Sequence, residues 1–167
     1  MPEQITIGSS SRLHGKGFQI QRGWSDELSQ QLVAGSREPA IQRHTPKDMN
    51  ERFIDADAAG AWFEEKQPII YALSRAAQLA GVIWFSHRPR PEYSADYTFA
   101  IRMYDVARGV GLAEPFIDTS EDDFRSIVKP EGIWLETEFE NSAARNLYHK
   151  IGYTVIAASP GRITMRR

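Results

Sequence analysis

A glycine-bearing turn near the middle of the chain has the residue types of an anion-binding site. The segment ARGVGLA, residues 107–113, follows an alternating apolar run and precedes a helical one. Glycines at positions 109 and 111 let a ligand approach the backbone closely, because they carry no side chain. Where a helix begins after such a turn, its free N–H groups and the positive end of its dipole attract negative charge. The spacing therefore predicts a pyrophosphate-binding turn.

A carboxylate and a phenol farther along the chain lie among apolar residues of predicted elements, which makes them candidate site residues. Glu136 lies in a predicted strand with three apolar neighbours, so it is either exposed at an edge or in a cleft that would raise its pKa. Tyr148 lies one helical turn beyond Ala144 on the apolar side of a predicted helix, where the ring can be buried while the hydroxyl reaches a cleft. Asn141 stands where that helix needs an N-cap. A core tyrosine and a solvated carboxylate remain the simpler alternatives for Tyr148 and Glu136.

The elements that position these residues are predicted from hydrophobic periodicity. Apolar residues alternate over 97–103, which predicts a strand running into the glycine turn. Further strands are predicted over 18–22, 69–73, 79–85, 133–139, 153–157 and 162–165, and helices over 25–35, 57–65, 142–151 and after the turn. Pro115 falls early in the helix after the turn and predicts a kink or an irregular second turn, with the helix reset near 118–120, because proline removes an N–H and crowds the preceding turn.

Composition limits the classes of protein that fit. The chain has 167 residues, 41% of them hydrophobic, and a net charge of −2, which is typical of one globular domain and argues against a general nucleic-acid binder. No cysteine is present, so disulfides, thiolate metal sites and a cysteine nucleophile are excluded. The histidine spacing suggests no zinc site, and no apolar run has the length of a membrane span. A cytoplasmic protein without a metal, a membrane or a nucleic-acid partner is expected, with a polar, mobile or loosely docked N-terminal arm over residues 1–16.

Two motifs together resemble a known family. The segment ARGVGLA resembles the acetyl-coenzyme A motif [QR]-x-x-G-x-[GA] of the GNAT N-acetyltransferases, a family of acyltransferases. The segment 135–153 resembles the next strand and helix of that family, whose pattern is N-x-x-A-x-x-x-Y-x-x-x-G-[FY], and is most similar to the ribosomal-protein N-terminal acetyltransferases. The residues that meet this second pattern are Asn141, Ala144, Tyr148, Gly152 and Tyr153. The order of elements from Phe18 to the end of the chain also fits the family.

The resemblance implies a fold, a co-substrate and a set of site residues. The fold would be the α/β (α+β) GNAT fold, a mixed, mostly antiparallel sheet of about six to seven strands flanked by about four helices, formed by a single domain over 17–167. Acetyl-CoA would be the co-substrate, with Tyr148 as general acid toward the thiolate and Glu136 as general base. The coenzyme-binding residues would be the pantetheine-pairing strand residues Ile101, Arg102 and Met103, the pyrophosphate-binding residues Arg108, Gly109, Val110, Gly111, Leu112 and Ala113, and the arm-contacting Asn141.

The acceptor stays open at this point. A small-molecule amine and a peptide or protein N-terminus are the two alternatives within the family, and homodimer formation is a further open question. A coenzyme-binding sensor that lacks turnover would keep the same turn. An unrelated nucleotide-binding module would also keep the turn but would leave the second motif unexplained.

Overall fold

A computed structural model describes residues 3–8 and 10–167, and its centre is one eight-stranded sheet in the order β1-β2-β3-β4-β5-β6-β8-β7. The strands are β1 Ile5–Ile7, β2 Gln19–Arg22, β3 Ile69–Arg75, β4 Gln78–Arg90, β5 Ala95–Met103, β6 Ile133–Glu138, β7 Thr154–Ser159 and β8 Arg162–Arg166. All neighbouring strands are antiparallel except β5 and β6, which are parallel.

The helices lie on both faces of the sheet. They are α1 Ser11–His14, α2 Asp26–Ser36, α3 Pro39–His44, α4 Ala56–Lys66, α5 Ala113–Val128 and α6 Ser142–Lys150, with a π-helical turn at Asp48–Arg52. Two hydrophobic clusters hold the layers together. One joins α1, α5 and α6 to one face of the sheet through residues such as Leu13, Phe116 and Leu147, and the other joins α2 and α4 to the opposite face through residues such as Leu32 and Phe63.

The predicted fold class is confirmed, with one difference in strand number. The mixed sheet has four flanking helices of nine residues or more, as the prediction required. It has eight strands where about six to seven were predicted. The additional strand is β1, whose three residues pair with β2.

The N-terminal segment packs on this fold. Within residues 1–16, Ile7 and Leu13 join the main hydrophobic cluster, and Leu13 is fully buried. Ser10 caps α1 by accepting a hydrogen bond from the Leu13 N–H. Met1, Pro2 and Ser9 lie outside the described residues. The mobility that the sequence predicts for this segment stays a prediction, whereas its described strand and helix contact the sheet and α5.

The irregular second turn and the helix restart near residues 118–120, predicted from Pro115, are wrong, whereas the predicted kink stays a prediction. Helix α5 runs without interruption from Ala113 to Val128, and Pro115 is its third residue. The first four N–H groups of a helix have no partner within the helix, so proline at this position removes no hydrogen bond. The first such bond of α5 is donated by the Phe116 N–H to the Leu112 carbonyl at 3.1 Å.

Four tyrosines, three of them buried and Tyr148 partly buried, make the stability of this fold sensitive to alkaline pH. Burial raises the pKa of Tyr71, Tyr104, Tyr148 and Tyr153 above the ordinary value of about 10. Their contribution to stability is therefore present below pH 10 and is lost as the pH rises further, because only the unfolded chain then releases the protons. We expect the urea midpoint to be constant between about pH 8 and 9 and to fall steadily above about pH 10. A midpoint that stays constant to about pH 11 would contradict this expectation.

Candidate active site

The parallel strands β5 and β6 separate shortly after they meet. Their register contains only two pairs, Tyr97 with Ile133 and Thr98 with Trp134, although both strands continue beyond them. The chain past Thr98 and past Trp134 therefore borders an open wedge in the sheet.

One edge of β5 presents backbone groups to this wedge. The Tyr104 N–H donates to the Ala80 carbonyl on β4 at 2.9 Å, and hydrogen-bonded pairs alternate along an antiparallel ladder. By this alternation the backbone groups of Ile101 and Met103 point away from β4, toward the wedge, while those of Arg102 bond to β4. Of the three predicted pairing residues, Ile101 and Met103 therefore have the orientation that an extended ligand requires.

The glycine turn lies between the end of β5 and the first turn of α5. Gly109 and Gly111 both have positive φ angles, 77° and 73°, which favour glycine. A side chain at position 109 would meet no atom within 4 Å, so this part of the turn is open to a ligand. Val110 is 52% exposed, whereas Leu112 is buried and anchors the turn. The turn and the N-terminus of α5 thus form the open backbone surface that the sequence predicts.

The side chain of the motif arginine, Arg108, bonds to other groups of the protein. The Arg108 guanidinium forms ion pairs with Asp105 and Glu38 and donates to the Met103 carbonyl at 2.9 Å. These bonds fix the path of the chain from β5 into the turn. Its side chain is therefore engaged by protein groups, and the predicted role of its backbone N–H stays a prediction.

Tyr148 lies on α6 at the face that packs on the sheet. Its ring contacts Phe99 of β5 and Tyr153, with centroid distances of 5.9 and 6.2 Å. Burial raises the pKa of the Tyr148 phenol, against a smaller opposing effect of Arg102. The side chain is therefore a protonated hydroxyl at neutral pH, placed next to the strand that borders the wedge.

Glu136 lies on the other face of the sheet. It is two residues beyond Trp134 on β6, so both side chains point to the same side, the side of α2 and α4. Its carboxylate lies 3.6 Å from the Arg162 guanidinium on β8, and 37% of its side chain is exposed. The structure thus puts Glu136 and Tyr148 on opposite faces of the wedge.

Asn141 occupies the N-cap position of α6. Its side-chain oxygen accepts a hydrogen bond from the Ala144 N–H at 3.1 Å. The predicted cap is therefore present, and the predicted contact with a coenzyme stays a prediction.

A cavity of about 810 Å³ opens on the face where Glu136 lies. It is lined by the π-helical turn, α4 and strands β4 and β5, and among its residues are Arg52, Trp62, Trp84, His87, Arg88, Thr98, Phe99 and Ala100. Phe99 connects the two sides of the site, because it lines this cavity and its ring contacts Tyr148. The volume lies within the range of about 300–1,000 Å³ that is typical of small-molecule sites.

A buried ion pair supports the cavity wall, and the sequence analysis did not identify it. Asp48, 1% exposed, accepts bonds from Arg102 of β5 at 2.6 and 3.2 Å and from Arg52 at 3.0 Å. The Arg102 guanidinium also lies over the Trp84 ring at 4.9 Å. Because the two partners are 54 residues apart in sequence, no local pattern could have paired them.

The described residues contain neither a candidate metal site nor a helix that could span a membrane. Across residues 3–8 and 10–167, no group of three or more His, Cys, Asp or Glu side chains could hold a metal ion. No helix in this part of the chain is long and apolar enough to span a bilayer.

Comparison with known proteins relates this architecture to acetyltransferases. No family model matches the chain. Over 121 residues it is 24% identical to an L-methionine sulfoximine/L-methionine sulfone acetyltransferase of Salmonella typhimurium, and the alignment covers 70% of each protein. A ribosomal-protein-alanine N-acetyltransferase from Brucella melitensis superposes with a TM-score of 0.70 at 16% identity, covering 89% of this chain and 98% of that one. A Salmonella typhimurium acetyltransferase structure with its cofactor acetyl-CoA superposes with a TM-score of 0.65 at 18% identity, covering 89% and 92%.

These likenesses agree with the two sequence motifs. The resemblance to the GNAT acetyltransferases is confirmed, and the chain has their fold.

Proposed function

We propose that this chain, which has the GNAT fold, is an N-acetyltransferase that moves the acetyl group of acetyl-CoA to a primary amine in a ternary complex. The observation that carries the proposal is the wedge between β5 and β6, with the open glycine turn at one end and Tyr148 beside it. The acetyltransferase names of the relatives support the same reaction class.

The donor would bind along the β5 edge. The N–H groups of Ile101 and Met103 would pair with the pantetheine arm, because their carbonyls accept from the Arg102 and Arg108 guanidiniums at 3.0 and 2.9 Å. The N–H groups of residues 109–113 would hold the pyrophosphate at the start of α5. The positive φ angles and the open space at Gly109 fit this role, because a bulkier residue would narrow the turn.

The transfer needs two proton movements. The amine nitrogen attacks the thioester carbon, the C–N bond forms and the C–S bond breaks. The proton of the amine goes to Glu136 or to a water molecule, and the departing thiolate receives a proton from the Tyr148 hydroxyl. Each such transfer contributes on the order of 10²–10⁴ in rate. Glu136 and Tyr148 lie on opposite faces of the wedge. Glu136 would therefore act as the base on the α2 and α4 face, from which the amine enters, and Tyr148 as the acid on the α6 face.

The cavity on the face of the sheet where Glu136 lies would receive the acceptor, although Glu136 is not one of its lining residues. Its aromatic wall, formed by Trp62 and Trp84, suits the apolar part of a small amine, and its volume suits a small molecule. A peptide N-terminus is the other acceptor that the relatives' names suggest. The charges on the lining are mixed, so they favour no single acceptor class within these two.

Ligand-induced stabilisation tests the donor. Acetyl-CoA at about 100 times its Kd should stabilise the fold by about 2.7 kcal/mol, because it binds only the folded chain. For a domain of this size the midpoint of thermal unfolding should rise by about 5–10 °C. ATP at the same concentration serves as the control, since it carries phosphates without a pantetheine arm. Stabilisation by ATP and none by acetyl-CoA would contradict the proposal.

A further inference from the structure

Helix α1 places a cation beside the glycine turn. The buried Leu13 side chain and the Ser10 cap fix the helix against α5. From this position the Arg12 guanidinium donates to the Gly111 carbonyl at 3.2 Å. Arg12 and Gly111 are 99 residues apart in sequence, so the contact is a product of the tertiary fold.

An acidic residue in the first turn of α5 orients this cation together with a second one. The Glu114 carboxylate lies 2.7 Å from the Lys150 ammonium of α6 and 3.7 Å from the Arg12 guanidinium. Lys150 and, to a smaller degree, Arg12 lower the pKa of Glu114, so the carboxylate is ionised at neutral pH. One negative charge thus holds two positive charges, and the cluster carries a net charge of +1.

The exposure of Arg12 leaves it able to meet a ligand. Its side chain is 58% exposed, and a guanidinium has five N–H donors, of which the contacts to Gly111 and Glu114 use a part. The motif arginine, Arg108, is instead engaged by Asp105, Glu38 and the Met103 carbonyl. Arg12, which also contacts the Gly111 carbonyl, therefore brings an exposed positive charge from the N-terminal segment directly to the glycine turn.

We infer that Arg12 binds a phosphate group of the coenzyme when its pyrophosphate lies on the glycine turn. The inference rests on the proposed function and adds a residue that the two motifs do not include. Guanidinium groups match phosphate geometry with paired N–H donors, and Glu114 pre-orients the side chain. Helix α1 is thereby part of the coenzyme site.

Calorimetric titration of Arg12→Gln with coenzyme A tests this inference. A charge-assisted bond at a half-exposed site predicts that Kd rises about fivefold to tenfold. The control is Lys16→Gln, which makes the same change of net charge at an exposed position of the same segment and should leave Kd within about twofold of the parent value. Raising the salt concentration should weaken binding less in Arg12→Gln than in the parent, because one screened charge contact is gone.

Truncated ligands locate the phosphate and exclude a general structural effect. If Arg12→Gln and the parent bind 3′-dephospho-coenzyme A with equal affinity, Arg12 binds the 3′-phosphate. If Arg12→Gln still binds this ligand more weakly than the parent, Arg12 binds the pyrophosphate. Pantetheine, which carries no pyrophosphate, should bind both proteins equally. The inference would be overturned if the parent and Arg12→Gln bound coenzyme A with equal affinity. It would also be overturned if Arg12→Gln lost as much affinity for pantetheine as for coenzyme A. Failure of the parent itself to bind coenzyme A would instead overturn the proposed function.

Discussion

Replacing Tyr148 with phenylalanine is expected to lower kcat by about 10² to 10⁴ while acetyl-CoA affinity stays within about twofold. The substitution removes the hydroxyl that would donate to the thiolate. It keeps the ring, which packs edge-on against Phe99 and Tyr153. Steady-state kinetics and calorimetry on the same preparation measure the two quantities.

Tyr153→Phe is the matched control, since it removes a hydroxyl from the neighbouring ring. The Tyr153 hydroxyl donates to the buried Glu121 carboxylate at 2.9 Å, so its loss should lower the free energy of unfolding by about 1–3 kcal/mol. Its kcat should be close to that of the parent, because the bond lies away from the wedge. Similar kcat values for Tyr148→Phe and the parent would assign the proton donor to another group.

Replacing Asp48 with asparagine is expected to lower the free energy of unfolding by about 3–5 kcal/mol. The change removes the negative charge that pairs with Arg102, and the Arg102 guanidinium would stay buried with its charge uncompensated. Urea unfolding of the parent and the variant measures the difference. Glu65→Gln is the control. This substitution removes an exposed ion pair in which the Lys66 ammonium lies 2.5 Å from the Glu65 carboxylate. It should change the free energy of unfolding by less than about 1 kcal/mol.

A double variant separates the charge effect from loss of packing. Asp48→Asn combined with Arg102→Met removes both charges and keeps an unbranched apolar side chain over Trp84. It should recover much of the lost stability, because a buried pair replaced by apolar groups is often neutral. If the losses of the two single variants simply add in the double variant, the ion pair is not the cause.

The sequence allowed the fold to be predicted where the periodicity is strong and the pairing is local. The strands of the β3–β4 hairpin follow from two continuous apolar runs, and helix α2 begins where predicted, at Ser25, whose hydroxyl accepts from the Leu28 N–H. The effect of Pro115 could not be predicted, because it depends on whether the helix begins two residues before the proline or earlier. Sequence patterns fix helix ends only within a few residues.

The parts of the site that the sequence could not reveal depend on distant contacts. Asp48 with Arg102 and Arg12 with Gly111 are tertiary pairs, and nothing in their local sequence marks them. The polar stretch before Phe18 predicts a mobile arm, yet Leu13 alone supplies the apolar contact that docks α1. By contrast, Tyr148, Asn141 and the glycine turn carried motif signals because their spacing within one helix or one turn is local.

Thiol release from acetyl-CoA, measured with and without a panel of small amines and short peptides, decides whether the chain transfers the acetyl group to an amine. We expect coenzyme A to appear at a rate that rises with the concentration of one acceptor class, and Tyr148→Phe to suppress this rate. Mass spectrometry should identify the acetylated amine as the second product. Binding of acetyl-CoA with no amine-dependent thiol release from any member of the panel would contradict the proposed function and favour a coenzyme-binding module without turnover.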